Sequence, residues 1–477
     1  MRPPVVAIGL FALAACKLGP DYVEPELALP DAWQRTIVEE LSDEEAALAI
    51  WWESLDDPVL DELIVRGTGQ SLDLRAAYAR VERAQALFGV ATGQRVPDLD
   101  GTGSATRARS SEGTTPFLPP GLDRTDDVYS AGVTGDWEAD VWGRVRRSIE
   151  ASGAQLDASI EDYRDVLVLL RARIGSTYVE VRELQARIGF LKRNIESQSR
   201  TLQLTRDRYT TELAPELDVR QAELNLANTE SQLPLLRQLL AQAMHRLGVL
   251  VGEGPDALVS LLEQASPIPS DAGPPGLGLP AELVRRRPDV RRAERLLAAA
   301  TADVGVATAA LYPEFRLRGS LGYESVSDLF DSSNVAWSFG PVLRWNLFDG
   351  GRVRGRIRAR EAEVEEALAV YEQTVLLALE DVENALVSYL EERLRRDALD
   401  RSVAAAERSV DLVRELYRSG LSDFQNVLDT ERFLFQQQDQ LAASEGQVVQ
   451  NLIELYRALG GGWRPEPMDR GTEVDQS

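Results

Sequence analysis

Slid against itself, this chain of 477 residues pairs with its own second half, and that duplication limits it to folds built from two copies of one unit. At an offset of 216, Asp73 meets Asp289, Arg75 meets Arg291, Gly89-Val90-Ala91-Thr92 meets Gly305-Val306-Ala307-Thr308, and Pro97 meets Pro313. Beyond Pro97 the offset becomes 208, pairing Trp137 with Trp345, Gly143-Arg144-Val145-Arg146 with Gly351-Arg352-Val353-Arg354, Tyr209 with Tyr417, and Glu223 with Glu431. The change places a short insertion in stretch 108–124 of the first copy, where a loop tip tolerates it. A Pro- and Gly-rich linker, 266–280, joins copies spanning 57–265 and 281–463 and leaves a tail at 464–477.

Each copy predicts the same internal order. A helix over 57–96 stops at Pro97, because the residue before proline disfavours helical geometry. Extended segments follow at about 98–107 and 127–139 in the first copy, and about 314–324 and 336–348 in the second. A long helix then runs over 142–210 or 350–418, and after a short break a last helix covers 216–248 or 422–460. Leu156, Ile160, Tyr163, Leu167, Leu170, Ile174, Thr177, Val181, Leu184, Ile188, Leu191 and Ile195 alternate spacings of four and three, the pattern of coiled-coil packing. Val364, Leu368, Tyr371, Val375, Ala378, Val382, Ala385 and Tyr389 repeat it, lose it at Glu392 and Arg396, and resume at Leu399 and Val403. Pro234 should kink the last helix of the first copy.

The extended segments have period two. Phe315, Leu317, Gly319, Leu321 and Tyr323 alternate with polar residues, as do Trp337, Phe339, Pro341, Leu343 and Trp345, while Tyr129, Ala131, Val133 and Trp137 keep the pattern more weakly. At about ten residues each, with Tyr129, Trp137, Tyr323, Trp337 and Trp345 as an aromatic girdle, they fit transmembrane barrel strands with polar faces toward a lumen. A water-soluble sheet packed on helices is the alternative. Four strands cannot close a membrane barrel, so on the barrel reading at least two chains share one; the argument fixes the sharing, not the number.

Composition removes other functions. Lys plus Arg total 52 against 77 Asp plus Glu, a formal charge of −25, which disfavours nucleic-acid partners. One His and one Cys leave too few ligands for a zinc or iron site, and His245, between Met244 and Arg246 on a helix, reads as a packing or surface residue. Neither a Gly-x-Ser-x-Gly motif nor a phosphate-binding lysine loop is present, so no catalytic residue is assigned and no enzyme or cofactor is expected. Met1 to Ala15 has a basic start and a short apolar run, the form of a signal peptide (1–15). Leu13-Ala14-Ala15-Cys16 resembles the lipobox of bacterial lipoproteins, which implies acylation of Cys16 at the head of an N-terminal segment 16–56; Lys17, in place of a retaining Asp, implies the outer membrane.

Taken together, Cys16-Lys17-Leu18-Gly19-Pro20-Asp21-Tyr22, Trp51-Trp52, the run Leu283 to Val290, Phe348-Asp349-Gly350-Gly351-Arg352, Tyr417-Arg418-Ser419-Gly420, Val427-Leu428-Asp429 and Leu459-Gly460-Gly461-Gly462-Trp463 resemble the TolC-like outer-membrane factors, in their lipidated OprM/NodT branch. The resemblance covers nearly the whole chain. It implies a mixed, mainly α fold: a trimeric twelve-stranded transmembrane β-barrel continued by an α-helical coiled-coil barrel, with an equatorial mixed α/β belt. It implies the exit duct of a tripartite efflux pump, with a periplasmic adaptor protein and an inner-membrane RND pump as partners. By the same resemblance Gln425, Asn426 and Asp429 line the periplasmic aperture, Tyr417 is a gate latch, and Thr211, Leu213, Gly420, Leu421 and Ser422 form the adaptor-contacting tips. Ser422 stands where some relatives have a latch arginine, so Tyr417's partner is left open. Read plainly, the aperture residues are a solvated helix face and Gly420 a turn former. The outlet of a type I protein secretion system, or a non-conducting lipid-anchored coiled-coil scaffold, are the alternatives in function.

Overall fold

The computed structural model describes residues 17–27, 29–30, 33, 48–111, 113, 125–270, 273, 280–325 and 334–464; residues 1–15, expected to be a signal peptide, Cys16 and residues 465–477 lie outside the described residues. After a 3-10 turn, Trp51–Leu55, the elements run α1 (Pro58–Gln70), α2 (Leu72–Gly93), β1 (Asp98–Arg109), β2 (Thr125–Ala139), α3 (Arg144–Thr210), α4 (Glu216–Glu230), α5 (Gln232–Leu250) and α6 (Val259–Leu262). The second series is α7 (Pro280–Arg286), α8 (Pro288–Ala309), β3 (Glu314–Ser325), β4 (Val335–Arg344), α9 (Arg352–Arg418) and α10 (Phe424–Ala458). The long helices α3 and α9 each hold 67 residues, about 100 Å at 1.5 Å per residue.

Two boundaries differ from the sequence reading, each for a local reason. The helix expected over 57–96 is two helices, because Ser71 is extended (ψ 128) and the backbone of Gly252 presses on Gln70 so closely that a Cβ at 252 would lie 2.3 Å from its carbonyl oxygen. The helix expected over 216–248 is divided at Ser231, which keeps helical dihedrals (φ −62, ψ −21) and its bond to Ala227 O (3.0 Å), so this is the expected kink: Pro234 has no N–H and its ring would meet the carbonyl of Glu230, the last residue of α4. The strand expected over 336–348 stops at Arg344. There Asp349 takes the N–H groups of Gly351 (2.8 Å) and Val353 (2.7 Å), capping α9 and turning the chain away from the sheet.

The four strands form one antiparallel sheet in the order β1-β2-β3-β4. Gly101 lies opposite Val133, Val133 opposite Leu321, and Leu321 opposite Trp337, so the odd-numbered apolar residues of all four strands share one face. The other face carries Asp136 bonded to Arg316 (2.6 Å) and Arg318 (2.9 Å), and serine pairs Ser104–Ser130 (2.8 Å) and Ser320–Ser338 (2.7 Å).

The chain folds into two compact units, and the sequence duplication does not divide them: each draws on both copies. The first contains the sheet, with the flanking parts of α2, α3, α8 and α9. In it the segment after Cys16 is fastened by Arg147, 1% exposed, whose guanidinium donates to Leu18 O (2.9 Å), Gly19 O (3.1 Å), Asp21 (2.9 Å) and Glu150 (3.0 Å). Gly19 sits at φ +85 with its Cα so close to Gly305 that a Cβ would stand 2.5 Å from it, a contact open only to glycine.

The second unit is centred on Trp51, 1% exposed, stacked on Tyr456 (5.7 Å) and edge-on to Trp52 (5.8 Å). A Cβ at Gly175 would meet the Trp51 ring at 2.7 Å, so the long helix needs glycine there. Along α3 the heptad positions Leu170, Ile174, Val181, Leu184, Ile188 and Leu191 are buried as their spacing demands. Where the α9 heptads lapse, Glu392 instead accepts from Ser444 (2.5 Å) and Arg395 (2.8 Å).

Glu183 of α3 lies against the backbone of Gly446 in α10, near Arg187, Glu180 and Asp439. Burial, only partly offset by Arg187, pushes its carboxyl up to about 7. The native state therefore holds this proton more tightly than the unfolded chain, and stability falls as pH rises through about 7. Denaturant titrations at pH 5 and 8 are expected to show that loss in the wild type and a flatter profile in Glu183→Gln. Gly175→Val is expected to cost about 1–3 kcal/mol at either pH by overpacking the Trp51 site.

Candidate functional site

Both long helices end in the same turn. At the end of α9, Gly420 takes φ +73, its N–H donates to Tyr417 O (3.1 Å), and the N–H of Leu421 donates to Leu416 O (2.8 Å). At the end of α3, Glu212 takes φ +60, its N–H donates to Tyr209 O (3.0 Å), and that of Leu213 to Arg208 O (2.8 Å). These positions correspond at the 208 offset, so a glutamate does in the first copy what glycine does in the second. Leu213 and Leu421 are 66% and 76% exposed at the ends of the two turns.

Between the turns lies Tyr417, buried although its counterpart Tyr209 is 45% exposed. It belongs to a small core with Leu202, Val219, Ala222, Phe424, Val427 and Leu428, with Phe424's ring 5.3 Å away. Its hydroxyl points at Asp218 of α4 (3.5 Å), and Arg208 lies over its ring at 4.7 Å. Burial pushes both the phenol of Tyr417 and the carboxyl of Asp218 up, the latter held back by the tyrosine hydrogen bond and Arg208.

Gln425, Asn426 and Asp429 share the exposed face of the first turns of α10. The Gln425 amide donates to both oxygens of Asp429 (2.9 and 3.1 Å), Asn426 donates to Ser422 Oγ (3.2 Å), and Arg432 approaches Asp429 at 4.0 Å. Such a face offers carboxylate and amide oxygens and no nucleophile. Among the described residues no cluster of three His, Cys, Asp or Glu could hold a metal, and no helix is long and apolar enough to cross a membrane.

The sheet has its own ordered surface. On its apolar face Tyr129, Tyr323 and Trp337 gather toward one end and Trp137 and Trp345 toward the other, with Val133, Leu317, Leu321 and Phe339 between. Trp137 donates its indole N–H to Arg95 O (3.0 Å) and Trp345 to Leu311 O (3.1 Å), so each tryptophan closes the joint between a helix and its strand while its ring stays on the apolar side. Trp337 is 76% and Phe339 70% exposed in the single chain.

The profile of the family described as "Outer membrane efflux protein" matches residues 63–253 and again 279–461. The chain belongs to that family. This outer membrane efflux protein is 33% identical to the pyoverdine export outer membrane protein OpmQ of Pseudomonas aeruginosa, covering 95% of each chain. It is 30% identical to the toluene efflux pump outer membrane protein TtgI of Pseudomonas putida, over 95% of this chain and 97% of that one. Its fold matches the solved outer-membrane channel OprN with TM-score 0.85 and 36% identity, over 94% of this chain and all of the other. It is thus a TolC-like protein of the outer membrane, mainly helical with a small sheet.

The structure brings Tyr417, Gln425, Asn426 and Asp429 into one end of the helices, and Thr211, Leu213, Gly420, Leu421 and Ser422 into the two adjoining turns; Cys16 lies outside the described residues. The residues missed from sequence are Arg208 and Asp218. The duplication held a signal for the first, since Arg208 aligns with Leu416 and so departs from the repeat. Removing the strain at one turn and adding it at the other should act in opposite senses. Glu212→Gly is expected to gain about 0.5–1 kcal/mol and Gly420→Ala to lose about 1 kcal/mol, read in amide-exchange protection of Leu213 and Leu421.

Proposed function

We propose that this efflux protein works as a passive exit duct, with three chains closing a twelve-stranded barrel whose polar strand faces line a lumen. The sheet carries the reading: one face mainly apolar, with charge only at the Arg107–Asp127 end, the other polar, and both edge strands β1 and β4 without a partner among the described residues. An open edge is not tolerated in lipid, and copies of the same sheet supply matching edges. Strands of about ten residues, tilted, span an apolar band about 25 Å tall, and the tyrosines and tryptophans near both ends suit its interfaces. Acylation of Cys16 would add a lipid tether to the same membrane, and no other group is needed.

The helical tips are the proposed gate. Asp429, Gln425 and Asn426 repeated by symmetry would form a polar, acidic ring that favours cations, and Tyr417 held by Asp218 would keep the inner end closed. The exposed Leu213 and Leu421, with Thr211, Gly420 and Ser422, would meet the periplasmic adaptor of an RND-type pump, whose inner-membrane partner supplies the energy. Relatives named for pyoverdine export and for toluene efflux are similar along the whole chain, which supports placing cargo choice in the pump rather than in the duct.

The test is conductance in a planar bilayer with purified mature protein. A small, cation-preferring conductance is expected, with weaker cation preference in Asp429→Ala and roughly threefold higher conductance in Tyr417→Phe, as expected for loss of one hydrogen bond. Absence of conductance in all variants, from protein shown to be inserted and trimeric, would replace the duct with a periplasmic scaffold.

A further inference from the structure

Ser422, five residues beyond Tyr417, makes only local bonds: its Oγ donates to Asp423 O (3.4 Å) and accepts from Asn426 (3.2 Å). The cation at this point comes from elsewhere in the chain. Arg208, two residues before the end of α3, donates from Nη1 to Tyr417 O (2.8 Å) and Arg418 O (3.0 Å), the last carbonyls of α9, and from Nη2 toward Leu213 O (3.5 Å) of its own turn. Its guanidinium plane covers the Tyr417 ring at 4.7 Å.

We infer that Arg208 is the positioning residue of the tip gate, fastening the first helical hairpin to the second and holding Tyr417 in place. The inference rests on the gate reading above. Four features of the site agree with it. The free carbonyls at a helix C-terminus are negative and attract a cation. A planar fork can bond two adjacent carbonyls and stack on an aromatic face together, which a lysine ammonium cannot. The Nε–H of Arg208 is buried without a hydrogen-bond partner, so the group is held where its bonding is incomplete. Finally, the tie has no mirror image at the equivalent position, where the corresponding residue is Leu416, 45% exposed.

Other contacts nearby cross between the hairpins in both senses, Arg414 donating to Ser197 of α3 and Arg432 to Asn225 of α4 (2.8 Å). Each hairpin has an equivalent internal ion pair, Arg206–Glu223 (2.8 Å) and Arg414–Glu431 (2.7 Å). Glu431, however, is 3% exposed and also accepts from Thr201 of α3 (2.6 Å). Arg208 thus adds a tie at the last turn of α9, beyond those that Glu431 and Arg414 make to α3.

The experiment compares wild type with Arg208→Ala and Arg208→Lys, using Arg200→Ala as the control because Arg200 makes only a surface pair with Glu196. Amide exchange over residues 413–421 reads the tie, and bilayer conductance reads the gate. In Arg208→Ala, exchange there is expected to quicken and conductance to rise roughly tenfold, as for loss of charged hydrogen bonds, with cation preference and trimer content unchanged. Arg208→Lys should recover less than half of both. Unchanged exchange over 413–421, quickened exchange without a rise in conductance while Tyr417→Phe does conduct more, or an equal effect of Arg200→Ala would each overturn the inference. If no variant conducts, Tyr417→Phe included, the duct reading falls and exchange alone decides whether Arg208 ties the tips.

Discussion

The rest of this structure depends on a sheet whose two edges have no partner among the described residues. Its four strands gather the apolar odd-numbered side chains on one face, with Arg107 and Asp127 at one end of it. Water penalises the face and lipid penalises the edges, each unpaired N–H or C=O costing several kcal/mol in hydrocarbon. In the proposed barrel, association through the edges would satisfy both demands. The acidic, mainly polar remainder of the chain is what such an assembly needs outside the bilayer.

The sequence made the elements legible where one short-range rule governed them. The 3.5-residue period of Leu170 to Leu191 and the period of two from Phe315 to Tyr323 are local patterns, and the buried and apolar faces follow them. Boundaries set by distant contacts were not readable. Gly252 splits a helix at Ser71 from more than a hundred residues away, and the end of β4 depends on a helix cap at Asp349. The tip was half legible for the same reason. Tyr417 and Asp429 stand out beside a helix break, whereas Arg208 and Asp218 gain meaning only when two segments some two hundred residues apart meet at the Tyr417 ring.

Duplication explains much of the architecture, and departures from it mark where the two copies do different work. The turns after α3 and α9 share one hydrogen-bond pattern, yet a strained Glu212 occupies the place of Gly420. Tyr209 is largely open while Tyr417 is buried, and Glu223 is a surface partner while Glu431 is enclosed. In the tyrosine and glutamate pairs the second copy carries the more buried member. The Tyr417 end of the second hairpin is therefore the more enclosed of the two, and groups from both hairpins join there.

The pairing of β2 with β3 also sets an order of events. Tyr129 lies opposite Ser325, so the middle of the sheet joins strands from the two halves of the chain. At about 5–20 residues per second, the first hairpin would wait roughly 10–40 seconds for its neighbour to be made. Closing so long a loop is slow, and an apolar hairpin with a bare edge is prone to pair with the wrong strand meanwhile. In a chain of this design the first hairpin therefore keeps one edge and one apolar face uncovered until residue 325 has been made.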